Sequence, residues 1–417
     1  MASQESIITS LAKTATTVEQ LRRFVAVVFS RSILHTHHTD AYRKIASTRT
    51  CEAFADAIDE VIRELDAWCS AREEAMCRAY AGVDEEPLVV SLLGTEKALK
   101  DQYGTSFDIL LEIVQQAFQI KPNEDIALFD NSATIPQKRL QPSALTALLL
   151  DTLFTSVQQH MERRDTVTSD ALMRVFVRTA EPVWGMVGRW LKDGMGLGLG
   201  IGFGGESGIP GRAEELDDEF FIESSGVGVG MMGMGLLDPE FWKEGYSLRE
   251  GVVSYGESAL ADASTALAPT RKAIPSFLEH IAELVLGTGK AVGLMRALGE
   301  PPLSNAFNDW KSFLEVVRSE THNINGKTEE HTGLFSVSVD TLSRLIYDSL
   351  LPHCQATGAR LAKVLVDECG LWKHLKAIED LFLMRKGDTM SHFIDALFTK
   401  VGYTRHWITQ LVKLTHS

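Results

Sequence analysis

A chain of 417 residues with 45% hydrophobic and 23% charged residues has the composition of a folded globular protein, long enough for two or more domains. Its formal net charge of −15 argues against nonspecific binding to nucleic acid or to an anionic membrane through the chain as a whole. Five cysteines without a C-x-x-C pair, no signal-peptide pattern at MASQESIITS and no run of about 20 apolar residues point to a reducing compartment and to no membrane span.

Residues 1–50 read as mixed helix and connection around an apolar cluster of Leu21, Phe24, Val25 and Val28. From Cys51 the pattern sharpens: Phe54, Ile58, Val61, Leu65 and Trp68 recur in helical steps with charged residues between, predicting an amphipathic helix to about Tyr80. Asp84-Glu85-Glu86-Pro87 interrupts it. A second helical set holds Leu92 and Leu93, then Phe107, Leu110, Leu111, Val114 and Phe118. Residues 121–143, with Pro122, Pro136 and Pro142 as breakers, read as a loop. Residues 144–161 give a further stripe, closed by the charged Met161-Glu162-Arg163-Arg164-Asp165. Leu172, Val175 and Phe176 lead to Pro182, which either kinks a helix or opens the next, and Trp184, Val187, Trp190 and Leu191 continue the spacing.

The middle of the chain differs. GMGLGLGIGFGG and GVGVGMMGMG flank an acidic segment from Glu214 to Glu223. Glycine so dense holds neither a helix nor a strand register, so these tracts read as flexible insertions around a short ordered strip, Phe220 to Ile222. Helices resume near 270, with Ser276 and Glu279 spaced as a capping box behind Pro275, and Gly299 with Pro301-Pro302 as a stop after Leu298. Phe307, Trp310, Leu314 and Val317 follow, then a polar loop from Thr321 to Thr332. A long helical pattern runs from Val339 to Cys369, broken at Pro352.

Residues 371–401 form a compact pair. Leu371, Leu375, Ile378 and Phe382 make one stripe; Met390, Phe393, Leu397 and Val401 make another. Between them, Arg385-Lys386-Gly387-Asp388 supplies cations for the end of one helix, a glycine free to take positive φ, and an aspartate cap. No strand alternation competes, so the fold class is all-α: stacked helical bundles with a glycine-rich irregular insertion.

No constellation calls for chemistry. Gly200, Gly202, Gly205 and Gly228, Gly230, Gly233 each satisfy G-x-G-x-x-G, but without the strand before and helix after that a dinucleotide site needs. Gly287-Thr288-Gly289-Lys290 hints at a P-loop, yet Leu284 and Ala291 stand where glycine and a hydroxyl are required. His35-Thr36-His37-His38 has no further ligand at metal spacing and reads as a solvated loop. There is no Gly-x-Ser-x-Gly elbow. Cys354 and Cys369 sit in helical apolar surroundings that predict buried, inert thiols. Asp217/Asp218 and Glu379/Asp380 read as solvated faces, and Trp184, Trp190 and Trp242 read as core. The expectation is a non-enzyme with no catalytic, cofactor or metal site.

Several blocks carry a family resemblance. They are Glu181-Pro182-Val183-Trp184 with Trp190-Leu191-Lys192-Asp193-Gly194; Asp218-Glu219-Phe220-Phe221-Ile222 with Trp242 and Tyr246; Pro275-Ser276-Phe277-Leu278 with Leu286-Gly287-Thr288-Gly289-Lys290; and Leu371 through Phe398. In this order they resemble the gamma-tubulin complex component family, and residues 88–176 are most similar to its component 5 type, with component 6 next. The resemblance implies an all-helical first GRIP half that packs laterally with other components of the complex. It further implies a scaffold role in templating microtubules at spindle poles and other microtubule organizing centres, in the cytoplasm, with no catalysis.

On this basis residues 1–193 form an N-terminal bundle, 194–270 the insertion, 271–370 a second bundle, 371–401 the truncated start of the second GRIP half, and 402–417 an unmatched tail. The resemblance assigns gamma-tubulin binding to that second half, which leaves direct gamma-tubulin contact in doubt for this chain. The competing expectation is a helical adaptor unrelated to microtubules. Neither nucleic acid nor membrane is an expected partner.

Overall fold

The computed structural model describes residues 2–35, 48–81, 91–118, 141–195, 216–225, 239–250, 272–300, 310–324, 338–383 and 385–414. They fall into two compact units, Met1–Gln355 and Ala356–Ser417. The first contains α1 (Ala2–His35), α2 (Arg49–Tyr80), α3 (Leu92–Tyr103), α4 (Ser106–Phe118), α5 (Pro142–Glu162) and α6 (Thr166–Asp193). Beyond these come α7 (Pro239–Glu244), α8 (Ala282–Ala297), α9 (Phe313–Ile324) and most of α10 (Val339–Lys363). The class is all-α.

Helix α6 is the axis of this unit and packs against α2, α5, α8 and α9. Its sequence explains why. Val175, Phe176 and Val177 are consecutive and all buried, so the helix is covered over most of its circumference, with a narrow exposed edge at Arg178 and Arg189. Phe176 meets Phe154 of α5, Phe277 and Phe313 of α9 at ring separations of 5.1, 5.5 and 6.1 Å. Pro182 lies inside α6 without ending it. Two residues on, Trp184 stacks on Trp310 at 5.0 Å and donates its indole N–H to the Lys311 carbonyl at 2.9 Å. Gly188 is required there: a Cβ would fall 2.6 Å from the Trp310 ring.

The strip from Phe220 to Ile222 leads into a short strand. β1 (Ile222–Ser224) pairs antiparallel with β2 (Tyr246–Leu248), Ile222 opposite Leu248. Phe220 and Tyr246 lie against Trp190, which anchors this small ladder to the end of α6. Apart from Gly194 and Met195, the glycine tracts lie outside the described residues, as do Asp84–Pro87 and Pro301-Pro302.

Several local expectations are corrected. Residues 2–35 are a single long helix, α1, with Leu21, Phe24, Val25 and Val28 buried along it. Pro142 opens α5 at its first turn, where its missing N–H has no intrahelical acceptor to lose. Helix α10 continues through Pro352. The capping box at Ser276 does not form: Ser276 begins a short 3-10 turn, and its N–H and hydroxyl both donate to Asp151 of α5, each at 2.8 Å. Glu279 pairs with Lys272 instead. A tertiary carboxylate has displaced the local one.

The second unit holds the end of α10, a π-helical turn at Val364–Glu368, α11 (Leu371–Phe382) and α12 (Gly387–Leu414). The left-handed glycine is Gly370, at φ 63°, immediately before α11. Gly387 is instead the first helical residue of α12, and Asp388 lies within its first turn. Arg385 and Lys386 pair with Glu379 and Asp380 beyond the end of α11. Residues 402–414 continue α12.

Candidate interaction surfaces

Residues that could be taken for a reactive site are bound up in the fold. Gly287-Thr288-Gly289-Lys290 sits in the middle of α8. Gly289 is a packing glycine: a Cβ there would lie 2.1 Å from Trp190 Nε1, which donates to the Val285 carbonyl at 2.9 Å. Gly194, at φ 67°, brings the end of α6 onto the same face of α8. Lys290 donates Nζ to the Lys243 carbonyl at the end of α7, and Thr288 Oγ1 donates to the Leu284 carbonyl. The motif that imitates a P-loop therefore locks α8 to α6 and α7. Its Lys290 pKa is pushed down, by burial.

The buried carboxylates are also structural. Glu219, beside β1, accepts from the N–H groups of Arg49 and Thr50 and from the Thr50 hydroxyl, capping α2 across a sequence distance no local rule covers. Glu181 of α6 accepts from the Phe313 N–H at 2.9 Å and caps α9 the same way. With Asp151 at Ser276 these are three caps delivered from remote elements. Burial pushes each of these carboxyl groups above the ordinary range, and the donated N–H groups pull in the opposite direction. Asp170 is pushed up to about 6 by burial, against the Arg174 guanidinium, at the α2–α6 contact where Arg174 also pairs with Glu64 at 2.6 Å.

Cys354 is buried, as its surroundings predicted. Cys369 is not: it follows the π turn and is exposed. Trp184 and Trp190 are core residues and Trp242 is partly buried against them. His37 and His38 and both G-x-G-x-x-G matches lie outside the described residues, and of His35 only the backbone is described. Among the described residues no group of three or more His, Cys, Asp or Glu side chains could hold a metal, and no helix is long and apolar enough to cross a membrane.

What the fold does present is helical surface. Leu92 and Leu93 are adjacent and 51% and 62% exposed at the start of α3, although their pattern suggested a buried stripe, and Tyr80 ends α2 at 89% exposed. In the second unit the whole apolar stripe of α11 faces solvent: Leu371, Leu375, Ile378 and Phe382, with Trp372 beside it. Phe393, Leu397 and Phe398 of α12 are exposed as well.

Comparison with curated proteins gives no match. A family model described as "Gamma tubulin complex component N-terminal" matches residues 1–368, which covers the long central bundle and stops just before α11. That family consists of structural components of the gamma-tubulin complex, associated with the cytoskeleton or the microtubule organizing centre, and is not a family of known enzymes. This chain therefore belongs to the gamma-tubulin complex component family, through its N-terminal half, and has its role in that complex.

Proposed function

We propose that the chain is a non-catalytic scaffold that packs side by side with other components of the gamma-tubulin complex and so supports microtubule nucleation, at spindle poles among other sites. The observation that carries this reading is the family match over residues 1–368. The use of Gly289 in packing and of Asp151, Glu181 and Glu219 as caps supports it. The exposed apolar residues at the α2–α3 end, Tyr80, Leu92 and Leu93, suit a lateral contact better than a solvated loop. We place the start of the second GRIP half at 371–401, where the family match has ended and apolar faces stand open. From residues 88–176 we infer the component 5 type, with component 6 next.

Co-sedimentation tests the proposal. The purified chain mixed with other complex components is expected to move with them, and Leu92→Asp with Leu93→Asp to weaken that association without lowering its melting temperature. Failure of the unaltered chain to co-sediment, where a full-length homologue does, removes the scaffold reading. Association that the α3 pair leaves unchanged would move the contact to another face.

A further inference from the structure

The corner between α5 and α6 carries a pattern that the family assignment leaves unused. Arg163-Arg164-Asp165-Thr166-Val167 sets two cations three and two positions before a threonine, with an aliphatic residue directly after it. Arg163, Arg164 and Thr166 are exposed, and Val167 is 38% exposed. The neighbouring hydroxyls are closed off: Thr168 and Ser169 are buried, Thr168 Oγ1 accepting from the Thr105 N–H at 3.3 Å and Ser169 Oγ donating to the Val157 carbonyl at 3.5 Å. Neither Arg163 nor Arg164 forms an ion pair with a described residue. Two uncommitted guanidinium groups beside one reachable hydroxyl form the charge pattern that arginine-directed serine/threonine kinases read.

The backbone bears on access. The corner closes with the Arg164 N–H on the Met161 carbonyl and the Asp165 N–H on the His160 carbonyl, both at 3.0 Å. This arrangement puts Arg164 at φ 60°, a conformation usually filled by glycine, and among the described residues Arg164 is alone in holding it without being glycine. A kinase reads an extended segment, so residues 163–167 must leave the turn. Opening also breaks the Asp165 cap on the Thr168 N–H and its contact with His160, and release of the positive φ at Arg164 offsets part of that cost.

We propose that Thr166 is a phosphorylation site for an arginine-directed serine/threonine protein kinase. In the transfer, Thr166 Oγ1 bonds to the γ-phosphorus of ATP, the bond from that phosphorus to the β–γ bridging oxygen breaks, ADP leaves, and the hydroxyl proton passes to the kinase's base. The product places a charge of about −1.5 to −2 on the first residue of α6. There the helix dipole favours an anion and Arg163 and Arg164 can pair with it, so α6 stays wound while the corner changes from cationic to anionic. A partner that docks on this corner would sense that change.

The test uses the full chain with MgATP and the catalytic subunit of cAMP-dependent protein kinase, followed by peptide mapping in a mass spectrometer. One phosphoryl group is expected on the peptide holding Thr166, absent in Thr166→Val. The initial rate should fall about tenfold or more in Arg163→Gln/Arg164→Gln, the scale of lost charge-assisted contacts. Circular dichroism melts of both variants check that the fold survives. A synthetic peptide of residues 159–171, tested in parallel, separates recognition from access. If the peptide is modified and Thr166 of the folded chain is not, the corner does not open and the proposal is wrong. If neither is modified, or if the double variant reacts at the unaltered rate, the arginines are not read and it is equally wrong.

Discussion

Helices α6 and α11 make an instructive pair. Both show apolar residues at helical spacing, and α11 shows the cleaner stripe, yet α6 buries all but a narrow charged edge and α11 leaves Trp372 at 66% and Phe382 at 78% exposed. Within its unit, α6 meets α2, α5, α8 and α9, and specific features fix these contacts: the Arg174–Glu64 pair to α2, the Phe176 cluster to α5 and α9, and the Gly289–Trp190 contact to α8. Periodicity measures how much apolar surface a helix must cover. It says nothing of whether the cover is supplied by the same chain. Hydrophobic spacing in α11 is thus evidence of a contact to be made, while in α6 it is evidence of contacts already made.

The comparison predicts unequal costs for equal changes. Phe176→Ala, in the ring cluster with Phe154, Phe277 and Phe313, is expected to lose about 3–5 kcal/mol in urea unfolding, the usual cost of emptying a fully buried phenylalanine site. A loss below about 1 kcal/mol would mean that the cluster collapses freely around α6 and that the axis is not where the packing places it. Next comes the glycine pair in α8. Gly289→Ala drives a methyl into the Trp190 indole and should cost about 1–3 kcal/mol by overpacking. Gly287→Ala, two residues away with nothing within 4 Å, should instead gain up to about 1 kcal/mol from helix propensity. Opposite signs from one motif would show that Thr288-Gly289-Lys290 is a packing device; equal signs would refute it.

The sequence displayed the helices and much of the core, and the reasons for the exceptions are physical. Phe54, Ile58, Val61 and Leu65 are buried along α2 as their spacing requires, because local periodicity and tertiary cover agree there. Pro352 and Ser276 misled for one reason: in each case the rule is local and the outcome was set elsewhere. A proline within α10 removes a single hydrogen bond, which tertiary support over a helix of 25 residues can absorb. Ser276 lost its capping role to Asp151, a residue 125 positions away. Glu219, Glu181 and Asp151 read as ordinary acidic residues in their own segments, and only the fold reveals them as caps. Cys369 looked buried because its neighbours are apolar, but the π turn before it presents it to solvent.

Charge distinguishes the α2–α6 contact in a way pH can read. Asp170, about a quarter exposed and carrying an Oδ1 without a hydrogen-bond partner, has its pKa raised to about 6 by burial. Because the folded-state value exceeds the ordinary 3.8, the folded protein holds a proton that the unfolded chain has released across this interval. Stability contributed by this group is therefore greatest at low pH and falls as pH rises from about 4 to 6. Asp170→Asn should flatten that slope in urea titrations and raise stability at pH 7 by on the order of 1 kcal/mol. A loss of similar size at pH 7 would show that the pairing with Arg174 outweighs the burial of the charge.

The smallest effect is expected where the apolar stripe is cleanest. Trp372→Ser combined with Phe382→Ser removes two large side chains from α11, yet both already stand mostly in water, so little transfer free energy is at stake. The unfolding free energy should stay within about 0.5 kcal/mol of the unaltered chain, as for other surface changes. Solubility should rise, because an apolar face that no described residue of its own unit covers is a site for nonspecific association. Hydrogen exchange supplies an independent reading: the amides of 371–382 should exchange faster than those of 172–191, whose helix is held by buried contacts over most of its circumference. Protection of 371–382 equal to that of α6, or a loss of more than about 2 kcal/mol in the double variant, would mean that the stripe is covered after all. The contrast between a helix that has its partners and one that awaits them would then dissolve.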